Sequence, residues 1–91
     1  MFKIIYDTSK ILKKDKEKIL KDYKISNRIK KYIEKLALNF PEISNIKRLQ
    51  PKSEYKFRFR KWYYRIIFGV DYWNKVIIIY RMWLRKDIYE D

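Results

Sequence analysis

The stretch from residue 55 to residue 70, YKFRFRKWYYRIIFGV, constrains the fold more than any other part of the chain. Apolar side chains occupy alternate positions, and cations fill most of the positions between them. Because side chains alternate across a β-strand, this period of two predicts two amphipathic strands that turn near residues 61–63. The buried face would begin with Tyr55, Phe57 and Phe59, and the opposite face would carry Lys56, Arg58, Arg60 and Arg65.

Two further segments predict strands. Residues 2–6 (FKIIY) and 75–83 (KVIIIYRMW) are short, apolar and rich in β-branched or aromatic residues. The second of them follows a predicted tight turn at residues 71–74. Because it is apolar on both faces, we expect it to lie inside the sheet rather than at an edge.

The region between these strands predicts two helices. Residues 7–9 (DTS) are good N-cap residues and precede a lysine-rich first helix with a weak apolar stripe. Ser26 or Asn27 is expected to cap a cleaner second helix, which Pro41 ends. Residues 41–53 are expected to form a connector with one or two core anchors.

The order strand, helix, helix, strand, strand, strand predicts an α+β fold. We expect a single domain over residues 1–91, with a twisted, mostly antiparallel sheet and a helical hairpin packed on one face. The first strand would join the sheet after the helices cross it. The other face would then stay open, with the four cations on it.

Charge and composition narrow the classes of function. The 24 Lys and Arg against 11 Asp and Glu give a net charge of +13, which favours polyanionic partners such as nucleic acid. Without Cys or His, the chain lacks the residues of thiolate or histidine metal sites and of histidine catalysis. The absence of Cys fits a reducing cytoplasm. The longest apolar run, residues 76–80, is too short to span a membrane.

Three segments follow one another in a recognisable order: YKFRFR at 55–60, YRIIF at 64–68 and, after the apolar strand, RKDIY at 85–89. In this order and spacing they resemble the RelE/ParE toxin superfamily, and the resemblance covers essentially the whole chain. The KRL segment at 47–49 also matches that family's approach to the basic strand. The chain departs from the pattern at Trp62, where the family usually has a turn glycine, and at Trp83 and Leu84.

The resemblance implies the toxin of a type II toxin–antitoxin system with a cognate acidic antitoxin and no cofactor or metal. The RelE branch cleaves mRNA in the ribosomal A site, whereas the ParE branch inhibits DNA gyrase without acting as an enzyme. The positions that match the functional residues of the RelE branch are Lys56, Arg58, Arg65, Arg85 and Tyr89. Lys56, Arg58 and Arg65 keep their basic character, which favours the ribonuclease branch.

Cleavage of RNA without a metal requires the substrate 2′-OH to lose a proton and attack the adjacent phosphate in line. Arg58, Arg65 and Arg85 are suited to stabilise the charge of the phosphorane. Lys56 would act as the base, because like charges around it disfavour its ammonium form. Tyr89 would donate a proton or stack on a base, and both roles stay open. Ribosomal RNA could instead supply part of the acid–base function.

Further basic and aromatic residues are expected to contact RNA outside the reacting centre. They are Arg60, Arg81, Trp62, Tyr63, Lys13 and Lys14. The alternative for the first helix is a membrane-surface or calmodulin-binding helix, and the alternative for the basic strand is an ordinary solvated face. An inert basic RNA-binding module therefore remains a third reading beside the two toxin branches.

Overall fold

The computed structural model describes residues 1–49, 56–61 and 63–84. Its elements are β1 (Lys3–Tyr6), α1 (Lys10–Leu20), α2 (Tyr23–Asn39), β2 (Ile46–Arg48), β3 (Lys56–Lys61), β4 (Tyr64–Asp71) and β5 (Val76–Leu84). The strands form one sheet in the order β1-β5-β4-β3-β2. β1 runs parallel to β5, and all the other neighbours are antiparallel. The predicted α+β architecture is therefore confirmed, with one strand more than expected.

The core lies between the sheet and the two helices. Phe59, Ile66 and Phe68 point from the sheet into it, and Ile33 and Leu36 point from α2. The ring of Phe40, just after α2, packs edge-on at 5.4 to 5.7 Å against the rings of Phe2, Phe57 and Phe68. Such perpendicular pairs add to the stability gained from area burial alone. Of the three aromatic residues predicted to face the core, Phe57 and Phe59 do so, and Tyr55 lies outside the described residues.

The two helices begin at different kinds of cap. The Oγ of Ser9 accepts a hydrogen bond from the Leu12 amide at 3.2 Å, as the sequence predicts. The second helix begins earlier than expected, because Asp22 is its N-cap and accepts from the amides of Lys24 and Ile25 at 2.9 and 3.3 Å. The predicted caps Ser26 and Asn27 are wrong, since both lie inside α2. No helix in the described part of the chain is long and apolar enough to cross a membrane.

The expectation of a connector without a strand over residues 41–53 is wrong for residues 46–48, which form β2. Ile46 pairs with Phe59 and packs against the core, and Lys47 pairs with Arg58. β2 has a single core-facing anchor, so it is a strand only because β3 lies beside it. The sheet is thereby extended by one edge strand next to the basic residues of β3.

The turn between β4 and β5 is closed by a side chain. The carboxylate of Asp71 accepts from the side-chain amide of Asn74 at 2.9 Å and from its backbone N–H at 3.1 Å. These hydrogen bonds, the side-chain one foremost, lower the pKa of Asp71. Tyr72 and Trp73 are exposed at this turn, at 49% and 94% of their surface. The tight turn predicted at residues 71–74 is confirmed within one residue.

Candidate nucleic-acid interface

The sheet face opposite the helices, called the open face below, gathers cations from three strands. β3 contributes three of them, β2 adds one and β4 adds one: Lys56, Arg58, Arg60, Lys47 and Arg65. The strand register sets Lys47 directly opposite Arg58, and Arg60 directly opposite Arg65. Like charges in directly opposed positions destabilise a sheet. The register therefore places two pairs of cations side by side on this face.

A groove lies along the edge of this cluster. It has a volume of about 640 Å³ and is lined by Asn45, Ile46, Lys47, Arg58, Arg60 and Lys61. Asn45 has a positive φ of 69°, which Asn tolerates better than most residues, and its carbonyl accepts from the Arg60 amide at 3.0 Å. This hydrogen bond holds the bend before β2 against β3, at one side of the groove.

Arg58 is the most constrained of the cations. Its side chain is partly buried, and its Nε is inaccessible to solvent and has no hydrogen-bond partner among the described residues. Leaving a buried donor unpaired costs about 1–3 kcal/mol. A phosphate oxygen would satisfy that donor and match the planar fork of the guanidinium. The Nε of Arg65, on the neighbouring strand β4, is also buried.

Lys56 lies on the same face but is exposed. Its Nζ is 5.1 Å from the ring centroid of Tyr80 on β5, a distance at which the π face of the ring attracts the ammonium group. The residue opposite Lys56 in the register is Gly69. The structure therefore brings together Lys56, Arg58, Arg60 and Arg65, as the strand periodicity predicts.

Arg81 has a different environment at the α1 side of the sheet. Its Nε and Nη2 donate to the carboxylate of Asp15 at 3.1 and 3.2 Å, and the Met82 amide donates to the same carboxylate at 3.3 Å. The guanidinium also lies 4.9 Å from the ring of Trp83. Asp15 thus joins α1 to β5, and its carboxylate balances the charge of Arg81. A contact of Arg81 with RNA stays a prediction.

The other predicted contact residues are dispersed. Lys13 and Lys14 are exposed on α1, and Tyr63 is 64% exposed at the turn between β3 and β4. Trp62, Arg85 and Tyr89 lie outside the described residues. Sequence reasoning missed Lys47 and Lys61 as site residues. Both are ordinary exposed lysines by pattern, and only the pairing of β2 with β3 shows where Lys47 lies.

Within residues 1–49, 56–61 and 63–84, no cluster of three or more His, Cys, Asp or Glu side chains could hold a metal ion. The chemistry of the described open face is therefore that of guanidinium, ammonium and aromatic groups. These groups bind phosphates and stabilise negative charge.

Several solved structures share this fold over nearly their whole length. A chain of the RelB–RelE antitoxin–toxin complex from Methanococcus jannaschii is 26% identical, with 94% of this chain and 95% of that chain covered and a TM-score of 0.64. YafQ from E. coli is 18% identical, with 98% and 99% covered and a TM-score of 0.66. The RelBE2 toxin–antitoxin complex of Mycobacterium tuberculosis is 18% identical, with 92% and 98% covered and a TM-score of 0.59.

Sequence comparisons alone do not reach these relatives. No protein-family model and no curated protein matches the sequence significantly. The structural neighbours nevertheless are RelE and YafQ toxins, and the match runs through both helices and the sheet. The resemblance to RelE-like toxins that the sequence indicates is confirmed.

Proposed function

We propose that this protein is the toxin of a toxin–antitoxin system and cleaves mRNA in the ribosomal A site. The observation that carries the proposal is the open face of a RelE-like sheet, where Lys47 faces Arg58 and Arg60 faces Arg65. Opposed like charges disfavour a sheet, and a phosphate chain lying across them would offset their repulsion. The ordinary solvated face predicts no such opposition of like charges.

The cations suit the chemistry of RNA cleavage by the 2′-OH. Attack of that oxygen on the adjacent phosphate forms the new P–O bond, the 5′-oxygen leaves, and a proton moves from the 2′-OH to a base while another reaches the leaving oxygen. Arg58 and Arg65 would hold the non-bridging oxygens, whose charge grows in the transition state. Lys56 would bind the phosphate as an ammonium group, and ribosomal RNA would take the first proton. Arg85 and Tyr89, which follow β5 in the sequence, would complete the site.

Positioning on the ribosome is the second requirement. The net charge of +13 and the exposed Lys13 and Lys14 on α1 would attract ribosomal RNA over a long range. The ribosome would then hold the mRNA in line with the attacking oxygen, and such alignment lowers a reaction barrier without any further chemical group. We propose a cytoplasmic location on the same grounds.

An acidic antitoxin is the proposed protein partner. Two of the similar structures are antitoxin–toxin complexes. A protein with 24 cations and 11 anions favours an acidic partner by charge complementarity. Such a partner would suppress the activity by covering the open face or by competing with RNA for its cations.

The proposal is tested with purified ribosomes translating a defined mRNA. Wild-type protein should cut the mRNA in the A site, and Arg65→Ala and Arg85→Ala should slow cutting about 100- to 1,000-fold, as loss of one charge-stabilising donor does in other enzymes. Arg28→Ala, which removes an exposed arginine from α2, is the matched control and should cut like wild type.

A parallel assay separates the two branches of the superfamily. Wild-type protein is incubated with gyrase and supercoiled DNA, and DNA breaks are counted. If the ribosomes stay uncut and breaks accumulate only with gyrase present, the ribonuclease proposal is wrong and a gyrase inhibitor of the same fold takes its place.

A further inference from the structure

The single glycine of the chain lies in the middle of β4, on the open face. A Cβ added to Gly69 would lie 2.7 Å from Cε2 and 3.2 Å from Oη of Tyr80, so that the ring would have to move to admit any side chain. Its φ is not positive, so backbone conformation does not demand glycine here. A glycine inside a strand weakens the strand and often marks a close approach. At this position it makes room for the ring of Tyr80 to lie directly on the backbone of β4.

Tyr80 reaches this place because β5 is irregular beside it. Phe68 pairs with Ile79 and Ile67 pairs with Arg81, which leaves Tyr80 as the extra residue of a bulge. Bulges redirect a side chain and occur often beside functional sites. The alternation of β5 is thereby shifted, and Tyr80 lies across Gly69 towards β3.

The ring of Tyr80 lies next to the side chain of Lys56. The two strands place Lys56 directly opposite Gly69, and the Nζ of Lys56 lies 5.1 Å from the centroid of the Tyr80 ring. A lysine ammonium on an exposed strand is otherwise free to adopt many rotamers. The ring attracts the ammonium by its quadrupole and limits that freedom.

We propose that Tyr80 is a positioning residue, which holds the ammonium of Lys56 beside Arg58 for a phosphate of single-stranded RNA. The inference rests on the proposed function, since it assigns a phosphate-binding role to Lys56. A cation already in place loses less entropy when the phosphate arrives, so pre-organisation raises affinity. Gly69 contributes to this positioning, because any larger residue would displace the ring of Tyr80.

The test is the binding of a short, uncleavable single-stranded RNA, followed by fluorescence anisotropy at several salt concentrations. Tyr80→Leu removes the ring and should weaken binding about two- to five-fold. It should also reduce the slope of log affinity against log salt towards that of Lys56→Met, by up to about 0.7 for one phosphate contact. Tyr80→Phe keeps the ring and should bind like wild type. Gly69→Ala should behave like Tyr80→Leu, although it alters neither partner.

Controls and a double variant separate positioning from folding. Tyr23→Leu and Lys24→Met change exposed residues at the start of α2 and should leave affinity and slope unchanged. Circular dichroism shows which variants are folded. In the Lys56→Met background, Tyr80→Leu should have no further effect, because the group that it positions is already absent.

The outcomes distinguish this inference from the proposed function. If Tyr80→Leu binds like wild type while Lys56→Met is weak, or if the two effects add, the positioning role is overturned. Equal weakness of Tyr80→Phe and Tyr80→Leu would overturn it as well. Wild-type protein that binds no RNA contradicts both proposals. Binding with the expected pattern but without ribosomal cuts would support the role of Tyr80 and contradict only the cleavage reaction.

Discussion

Two arginines of the same sheet have opposite electrostatic environments. Arg81, on β5, donates two hydrogen bonds to Asp15 and has a compensated charge. Arg58, on β3, faces Lys47 across the sheet and has a buried Nε without a hydrogen-bond partner among the described residues. The first environment stabilises the folded protein by itself. The second is one that a bound anion would stabilise.

This difference gives a criterion for recognising anion-binding cations, which a count of charges does not give. Both are arginines on strands of the same sheet, although β3 carries four cations and β5 carries one. What separates them is the group opposite: a carboxylate from α1 for Arg81, and another cation for Arg58. Unfavourable contacts that a fold retains indicate binding more strongly than favourable ones do.

The largest expected effect concerns Arg58. Arg58→Ala should slow ribosomal mRNA cutting about 100- to 1,000-fold, since its guanidinium would stabilise charge in the transition state. Its melting temperature should not fall, because the substitution removes a like-charge contact and a buried unpaired donor. Arg28→Ala is again the control, with neither property altered. A clear drop in melting temperature with normal cutting would reverse the comparison and make Arg58 structural.

The next effect concerns the other arginine's partner. Asp15→Ala removes the acceptor of two charged donors and of the Met82 amide, so we expect a loss of about 1.5–3 kcal/mol in the free energy of unfolding. For a domain of this size each kcal/mol lowers the melting temperature by roughly 4–8 °C. Glu17→Ala, an exposed acidic residue on the same helix, should change it little. Equal stability of the two variants would show that the Asp15–Arg81 pair does not hold α1 to β5.

The smallest expected effect is a gain in stability. Arg60→Gln removes one member of a like-charge pair and should raise the free energy of unfolding by about 0.2–1 kcal/mol, measured by urea titration. RNA affinity and its salt dependence should both decrease. Lys61→Gln is the matched control for the change in stability alone, because Lys61 faces Tyr64 rather than a cation. If Arg60→Gln lowers stability instead, the opposition of Arg60 and Arg65 carries no cost and the criterion fails.

Local patterns predicted most of the fold. Alternation over a few residues defines β3 and β4, and the apolar run places β5 within one residue, at Val76–Leu84. The start of α2 was placed too late, because the region offers several capping residues and the sequence does not show that Asp22 accepts the helix amides. β2 was missed because a three-residue strand is stabilised by its neighbour rather than by its own residues.

The candidate site divides in the same way. The alternation of side chains along β3 and β4 is a local property, and it predicts that Lys56, Arg58, Arg60 and Arg65 lie on one face. The contact of Asp15 with Arg81 joins residues 66 apart in the sequence, and no local pattern predicts it. The bulge at Tyr80 breaks the alternation of β5, so the approach of Tyr80 to Lys56 is visible only in three dimensions.

The parallel pairing of β1 with β5 has a consequence for how the protein is made. Among the described strands β1 has β5 as its neighbour, and the register joins Lys3 to Val76 and Tyr6 to Ile79. While the chain is being synthesised, the first strand has no place in the sheet until the last strand has left the ribosome. The same holds for Asp15, whose partner Arg81 is synthesised later still. A protein proposed to attack ribosomes therefore completes this sheet only after β5 has been synthesised.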